Sequence, residues 1–475
     1  MSEGKIKIFF GAGRIGRRAL SFWREIGLNL DFFCDNNPKL LGKKIEGVDV
    51  LPIETILKQP QNKEIFITCK DEEIILHQLL SLGIKKNQII RYNTIASIIE
   101  YFFPFSKVRL PIEIPVCISA STMPEVIFDL SMGLVLGGVE TWSIQTSKQL
   151  KEIGYSTALL VNSIKPSAQK NNLNIISAEF NENIGEWKII ENLLHLLTQK
   201  KYSYLICNFM GYFFATACLA KKLFPDNLKV ITVIHNDVEV FYQDCIQMQQ
   251  YIDDCLIISE KMRLKLLEKG FPKEKVTYLP WDIACDEIFN HTYSSKNEAI
   301  RIGYAGRIVI EAKRIDSVVL LAKKLKSKKI NFILELAGTG TYEKKLVQEI
   351  KEGKLHNEVR FLGFVNHSEI KSFWRRQDIM ISCSEHEGHS LSQCEAMSAG
   401  VIPIITDISG ARDDVIDGEN GFIVEIGALD EMVDKICFLY EHRELLPCMG
   451  KKAYSKIKES YSKDNSKKVW KTILQ

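Results

Sequence analysis

Glu385-His386-Glu387-Gly388-His389-Ser390-Leu391-Ser392-Gln393-Cys394-Glu395-Ala396-Met397 is the stretch on which the reading of this chain turns. It follows Asp378–Ser382 (DIMIS), an apolar run that reads as a strand. A short helix is expected to start near Ser390 and to be closed by Gly400. Two glutamates then stand eight apart, Glu387 in the loop and Glu395 in the helix. At ~1.5 Å of rise per residue, Ser390 to Glu395 covers ~7.5 Å. That span suits a ligand with hydroxyls at both ends and a diphosphate over the helix N-terminus. The plain alternative is two solvated glutamates. The sequence resembles H-E-x-x-H only superficially, because Ser390 stands where the second histidine is needed.

Upstream, Gly303-Tyr304-Ala305-Gly306-Arg307 ends another strand, and Lys313 follows six residues later. Arginine offers a fork and lysine a point charge to phosphate oxygens. Apolar β-rich runs alternate with helical patterns along most of the chain, which predicts an α/β protein with parallel sheets. Strands are expected at Lys5–Phe10, Leu30–Cys34, Glu64–Cys69, Pro115–Ser119, Thr157–Val161, Tyr204–Asn208, Lys229–His235, Cys255–Ser259, Arg301–Ala305, Asn331–Ala337, Val359–Leu362, Asp378–Ser382 and Ile402–Thr406. That is more than one ordinary sheet holds. Seams are expected near Tyr101–Pro115, where Pro104, Pro111 and Pro115 cluster, and near Ile283–Ala299. The expected domains are 1–108, 109–290 and 291–475.

Gly137-Gly138-Val139-Glu140 opens an amphipathic stretch with Val139, Trp142, Thr146, Leu150 and Ile153 at helical spacing. A Gly-Gly pair there is either a plain turn or a place where backbone amides face an anion. His235 ends the run KVITVIH, at the strand end where open α/β sheets place ligands; the other reading is a capping or core-edge histidine. Near the start, Gly11-Ala12-Gly13-Arg14-Ile15-Gly16 sits between a strand and a helix, and Asp35 lies 19 residues beyond Gly16. The glycines either cradle a phosphate, with Asp35 on a ribose, or serve packing alone.

The 475 residues are 46% hydrophobic and 25% charged, which excludes disorder, collagen-like repeats and a small disulfide scaffold for the whole chain. A net charge of +3 gives no electrostatic case for nucleic acid. No C-x-x-C occurs among the 12 cysteines, so no zinc ribbon or thioredoxin-like site is written, and buried free thiols are expected. The N-terminus carries no signal-peptide pattern and no apolar run is long enough to span a bilayer. A cytoplasmic protein is expected, with the inner face of the membrane as an option. Five lysines in LAKKLKSKKI (Lys323, Lys324, Lys326, Lys328, Lys329) read as a solvated face or as a contact with anionic lipid.

E-x7-E after a strand, Gly306-Arg307-x5-Lys313, LAGTG (Leu336–Gly340) and FLGFV (Phe361–Val365) follow one another at typical distances. With Gly137-Gly138 and His235, the ordered set resembles retaining glycosyltransferases of the GT-B fold, family four, over residues 114–475. The resemblance implies two Rossmann-like domains facing a cleft, with a last helix able to cross back to the acceptor domain. It implies that Arg307 and Lys313 bind the donor diphosphate, that Glu387 holds hydroxyls of the transferred sugar, and that Glu395 holds the ribose. Gly306, Gly388 and the amides of His389, Ser390 and Leu391 would line the donor. Gly137 and Gly138 would approach the diphosphate, His235 the reacting sugar, and Phe361–Val365 the base. Residues 1 to about 95, through GAGRIG and FFCDNNP, resemble the small Rossmann-like unit that opens some bacterial sugar-modifying enzymes. A nucleotide, NAD(P) or a nucleotide sugar is the ligand this implies there.

The loop Gly388-His389-Ser390-Leu391 departs from the usual G-F-G-L or G-x-P-L, and Leu279-Pro280-Trp281-Asp282 from the usual Asn-Gly. The expected activity is metal-independent, hexosyltransferase-type transfer from a nucleotide-sugar donor to a glycan or lipid-linked acceptor, with retention. Cell-surface polysaccharide biosynthesis is the expected setting, with peripheral membrane association as an option and no cofactor required. No D-x-D motif stands in a suitable place, and no second carboxylate is placed as a nucleophile. The resemblance implies a front-face step, the leaving oxygen taking the acceptor's proton, which also explains the missing base. The alternative is a nucleotide-sugar oxidoreductase or epimerase centred on the first segment. No Y-x-x-x-K pair occurs in residues 1–110 to support it.

Overall fold

The structure is a computed structural model. It describes residues 5–25, 27–69, 72–92, 124–131, 137–162, 174–177, 186–198, 203–226, 228–279, 282–461 and 463–474. The proline cluster at 104, 111 and 115 and the strand expected at Pro115–Ser119 lie outside them.

Among the described residues there are three sheets. The first has six strands in the order Lys44–Ile45, Val48–Leu51, Phe32–Cys34, Ile6–Phe10, Lys63–Ile67, Ile89–Arg91. The second has seven: Val276–Tyr278, Asp254–Ile257, Leu228–Ile234, Ser203–Cys207, Val126–Leu130, Thr157–Val161, Ile175–Ser177. The third has six: Val359–Gly363, Phe332–Ala337, Ile300–Ala305, Ile379–Ser382, Ile402–Thr406, Phe422–Val424. Among the described pairings only Lys44–Ile45 with Val48–Leu51 is antiparallel. Non-consecutive neighbours such as Ile300–Ala305 and Ile379–Ser382 require crossover helices, which is what the alternation of patterns predicts.

The chain divides into two compact units. One comprises Met1–Leu134, Ala158–Val230 and Gln247–Ile252; the other comprises Val135–Thr157, Ile231–Ile246 and Asp253–Gln475. In the first unit Phe9 packs edge to face against Trp23, Phe33 and Phe66 and at a tilt against Tyr92, with Phe9 and Trp23 centroids 4.5 Å apart. In the second, the strands IPIIT and IMIS are buried on both faces, as parallel strands covered by helices must be. Val318, Leu321, Ala322 and Leu325 of helix Ile315–Ser327 and Met432, Val433 and Ile436 of helix Leu429–Glu441 close that core.

Within the described residues the expected strands recur with small shifts, but Val126–Leu130 (VIFDL) was not expected. Its Asp129 breaks the apolar run, and the strand shows itself only through burial: all five residues are buried. Its neighbours are Ser203–Cys207 and Thr157–Val161. Short edge strands such as Ile175–Ser177 and Phe422–Val424 are three residues long, too short for a period to register.

Asp378 anchors the third sheet. Fully buried, it accepts from Ser294 N at 2.9 Å, the Ser294 hydroxyl, Arg301 N at 2.8 Å and Arg301 Nη2 at 2.6 Å. Burial acts to raise its carboxyl, but the Arg301 and Ser294 donors hold it net below 3.8. Its stabilising effect is therefore present above the ordinary carboxylate range and is lost as pH falls through the lower folded value. Asp378→Asn is expected to cost about 2 kcal/mol at pH 7. Urea unfolding checks it: the gap from wild type should shrink below pH 4, and equal stability at pH 7 would refute it.

Candidate active site

Every glycine, histidine, cation and glutamate assigned to the donor site lies in the second unit. Gly137 caps the helix Gly138–Glu152 with extended backbone (φ −148°), and Trp142, Thr146 and Leu150 face its core. His235 follows the strand Leu228–Ile234 and is buried; its ring meets Trp142 edge-on at 5.2 Å. Burial pushes its imidazole down to about 3, so the ring is neutral at pH 7.

The strand-end backbone comes against the Glu387 loop at Gly388. A Cβ on Gly388 would stand 2.4 Å from the His235 carbonyl oxygen. Glycine is needed here for space.

Gly306 continues the strand Ile300–Ala305 and donates N–H to Ala337 at 3.0 Å. Arg307 follows it, exposed. Lys313 stands between Ala312 (φ 64°) and Arg314 (φ 49°), two left-handed residues that are not glycine. Such backbone is costly and persists where neighbours hold it. Here Glu385 N donates to Ala312 O at 2.9 Å, and the Arg314 guanidinium is held by Asp316 and Glu385. The turn delivers Lys313 Nζ to 2.7 Å from Glu387 Oε1. Burial acts to raise Glu387, but the Lys313 ammonium, Ser384 and Arg307 bring it net below its ordinary value. It is a carboxylate among cations, set for charge-assisted hydrogen bonding.

The helix after the loop runs Leu391–Ser398 with Ser390 at its N-cap, as expected. The His389 side chain points away from the loop, into the interior, with Nε2 2.7 Å from Asp414. Glu395 is largely buried; His367 Nδ1 lies 3.5 Å from it. Burial pushes its carboxyl up to about 7, against a lowering effect from Trp374. A raised carboxyl stabilises the folded chain fully below pH 4.5 and loses that effect as pH rises to about 7. Glu395→Gln is expected to flatten the fall of Tm between pH 4.5 and 7. Thermal melts in that window check this, and an unchanged slope would refute it.

Two residues escaped the sequence reading. Glu140, in the first turn after Gly138, is pushed up by burial and pulled back in part by its own backbone N–H and by Arg307. Asp237, two residues after His235, accepts from Lys265 Nζ at 2.8 Å, Tyr242 at 2.9 Å and the Ser409 hydroxyl. Only position next to Gly138 and His235 could have drawn attention to either.

In the first unit, the helix Arg14–Glu25 opens at the GxGxxG turn as expected. A Cβ on Gly11 would meet Thr68 O at 2.6 Å, and one on Gly16 would meet Gly11 O at 1.9 Å. Both glycines thus serve packing, whereas a Cβ on Gly13 meets nothing within 4 Å. Asp35 accepts Ala12 N–H and Asn37 N–H at 2.8 Å each, so it builds the turn it was expected to serve.

Three of the five clustered lysines are paired: Lys324 with Asp430 at 2.7 Å, Lys326 with Glu358 at 2.9 Å, Lys328 with Asp434 at 3.0 Å. No described helix is long and apolar enough to cross a membrane.

Residues 287–456 match the family model described as glycosyl transferases group 1. That segment is similar to glycosyl transferases of group 1. It contains Arg307, Lys313, Glu387 and Glu395. Among curated proteins, the chain is 26% identical over 308 residues to a poly(ribitol-phosphate) alpha-N-acetylglucosaminyltransferase of Staphylococcus aureus (strain COL), covering 62% of this chain and 59% of that one. It is also 26% identical over 232 residues to the capsular polysaccharide biosynthesis glycosyltransferase CapM of Staphylococcus aureus, covering 46% and 60%. The chain thus spans about three fifths of the length of these relatives.

Among solved structures, Anabaena Alr3699/HepE in complex with UDP superposes with a TM-score of 0.60 at 15% identity, over 74% of this chain and 99% of that one. A Staphylococcus aureus TarM variant in complex with fondaparinux, alpha-GlcNAc-glycerol and UDP gives 0.52 at 15% identity, over 99% and 100%. The fold is α/β with parallel sheets, and it matches GT-B glycosyltransferase structures.

Proposed function

We propose that this chain transfers a sugar from a nucleotide-sugar donor to a glycan or lipid-linked acceptor, with retention of anomeric configuration. The observation that carries the reading is the Lys313–Glu387 pair at 2.7 Å, set between a loop that needs glycine at 388 and Arg307. In this reading Arg307, Lys313 and the N–H groups at Ser390 and Leu391 take the charge that grows on the departing diphosphate. Glu387 accepts hydrogen bonds from hydroxyls of the transferred sugar. Glu395 accepts from the ribose once ionised. The ring of His235 is neutral and sits at a strand end, so it can accept or donate one hydrogen bond without adding charge beside the reacting carbon. The proton of the acceptor hydroxyl passes to the leaving phosphate oxygen as the new glycosidic bond forms and the sugar–phosphate bond breaks. No metal is assigned a role in this reading.

The group 1 likeness of residues 287–456 and the likeness to a poly(ribitol-phosphate) and a capsular polysaccharide glycosyltransferase support polymer glycosylation at the bacterial surface as the setting. The neighbours crystallised with UDP support a uridine nucleotide donor. The reading centred on the first unit is not favoured, since Gly11, Gly16 and Asp35 are taken up by packing and by the turn.

The test is a screen of UDP-, ADP- and GDP-sugars for acceptor-dependent release of nucleoside diphosphate, with proton NMR of the product for its anomeric configuration. Release with an alpha-linked product from an alpha-donor is the expected result. No release from any donor, or an inverted product, would overturn the proposal.

A further inference from the structure

Beneath the turn from Gly388 to Leu391 lies a cluster of polar side chains shut away from solvent. His389, Gln393, Cys394, Asp414 and Tyr461 are all buried. Three separate parts of the second unit supply them: the turn with its helix Leu391–Ser398, the short helix Ala411–Asp414, and Tyr461, where helix Leu446–Ser460 ends.

Asp414 is the hub. Its Oδ2 lies 2.7 Å from His389 Nε2, accepts from Gln393 Nε2 at 3.0 Å and from Cys394 Sγ at 3.4 Å. Its Oδ1 accepts from the Tyr461 hydroxyl, and its backbone carbonyl accepts from Asn420 Nδ2 at 2.9 Å. The rings of His389 and Tyr461 are stacked, with centroids 5.8 Å apart. The Nε2, Sγ and carboxylate atoms all lie within 4.8 Å of one another, and hydrogen bonds account for that closeness. A buried carboxylate with this many donors cannot move without stranding several of them.

Tyr461 also marks a change of course for the chain. Helix Lys463–Ile473 follows it and packs on Gly138–Glu152, through Trp470 on Trp142 at 6.2 Å and Ser466 Oγ to Gln149 at 3.1 Å. The cluster therefore ties the donor-side turn to the strap that runs onto the helix beginning at Gly138.

We propose that Asp414 and Tyr461 are positioning residues that act through His389: they hold the Gly388–Leu391 turn in the shape that receives the donor diphosphate. The proposal rests on the donor-site reading above. The groups around His389 come from every element packed on it. They are Asp413 and Asp414 from the short helix, Glu387 from the loop, Cys394 from the helix Leu391–Ser398, and Tyr461, with Tyr278 facing Asp413 and Tyr461. Burial works to strip the proton from His389, but Asp414 outweighs it and holds the imidazole net above its ordinary value. Burial raises Tyr461 and Cys394, so neither ionises near neutrality.

The experiment is calorimetric titration of the full chain with UDP at pH values from 5.5 to 9. Wild type should lose affinity as pH rises and His389 gives up its proton. Asp414→Asn should bind UDP about tenfold more weakly at pH 7.5. It should also move that fall to lower pH, because Asp414 is what raises the imidazole. Tyr461→Phe keeps the stacked ring and removes one hydrogen bond to Asp414. It should weaken UDP several-fold, and it keeps the test decisive if Asp414→Asn does not fold. Wild-type affinity with the wild-type pH profile in Tyr461→Phe and in folded Asp414→Asn would overturn this proposal alone. So would one equivalent of tightly bound metal in the purified protein. A wild-type chain that binds none of UDP, ADP and GDP would overturn it together with the donor-site reading.

Discussion

Lys313→Ala should lower sugar transfer by about 10² to 10³-fold, a loss of roughly 3–4 kcal/mol of transition-state stabilisation. The charge on a departing diphosphate grows as the bond breaks, so a fixed cation contributes more to the transition state than to the bound donor. Lys313 is held in place by costly backbone at Ala312 and Arg314. Its loss removes one cation and leaves the Glu387 carboxylate, 12% exposed, without the partner at 2.7 Å. An uncompensated carboxylate in that position would repel the diphosphate as well. Steady-state kinetics check it, with the fall expected mainly in kcat. Lys313→Arg should recover only part, since the guanidinium fork is wider than a point charge. Transfer within threefold of wild type would remove Lys313 from the mechanism.

Gly388→Ala is expected to be nearly as damaging, for a steric reason. The added methyl would lie 2.4 Å from the His235 carbonyl oxygen and 3.0 Å from Met262 Sδ. The nearer obstacle is backbone and cannot rotate away, so the loop or the strand end must shift. A cost of about 1–3 kcal/mol in stability is expected from overpacking. Because a displacement of about 1 Å can cost 10²-fold in rate, activity should fall by about that factor. Thermal denaturation and donor turnover read the two effects separately. Normal Tm and normal turnover together would show that the close approach of Gly388 to His235 has no functional weight.

Much of the architecture was legible in the sequence, for identifiable reasons. Parallel strands buried on both faces read as unbroken apolar runs, and IPIIT and IMIS appear where they were expected. The helix Leu391–Ser398 was announced by Ser390 before it and Gly400 after it. Val126–Leu130 stayed hidden because Asp129 interrupts the pattern, and nothing local says that a carboxylate will be buried. The clustered lysines read as one charged patch, because acids 32 to 106 residues away in sequence cannot be seen from within the run.

The candidate site divides the same way. Residue identity and order along the chain marked Arg307, Lys313, Glu387 and Glu395, since a motif is a local spacing of functional groups. The left-handed turns that aim Lys313, the close pass of Gly388 by His235, and the nearness of Glu140 to Arg307 are long-range packing facts. His389 makes the point most sharply. By sequence it is a loop residue beside a phosphate site; in the fold its ring turns inward to Asp414 and Tyr461, 25 and 72 residues further on. Which groups are present was determined by the sequence alone. Which of them share a buried, low-dielectric space, and so which charges matter, was decided only when tertiary structure excluded the water between them.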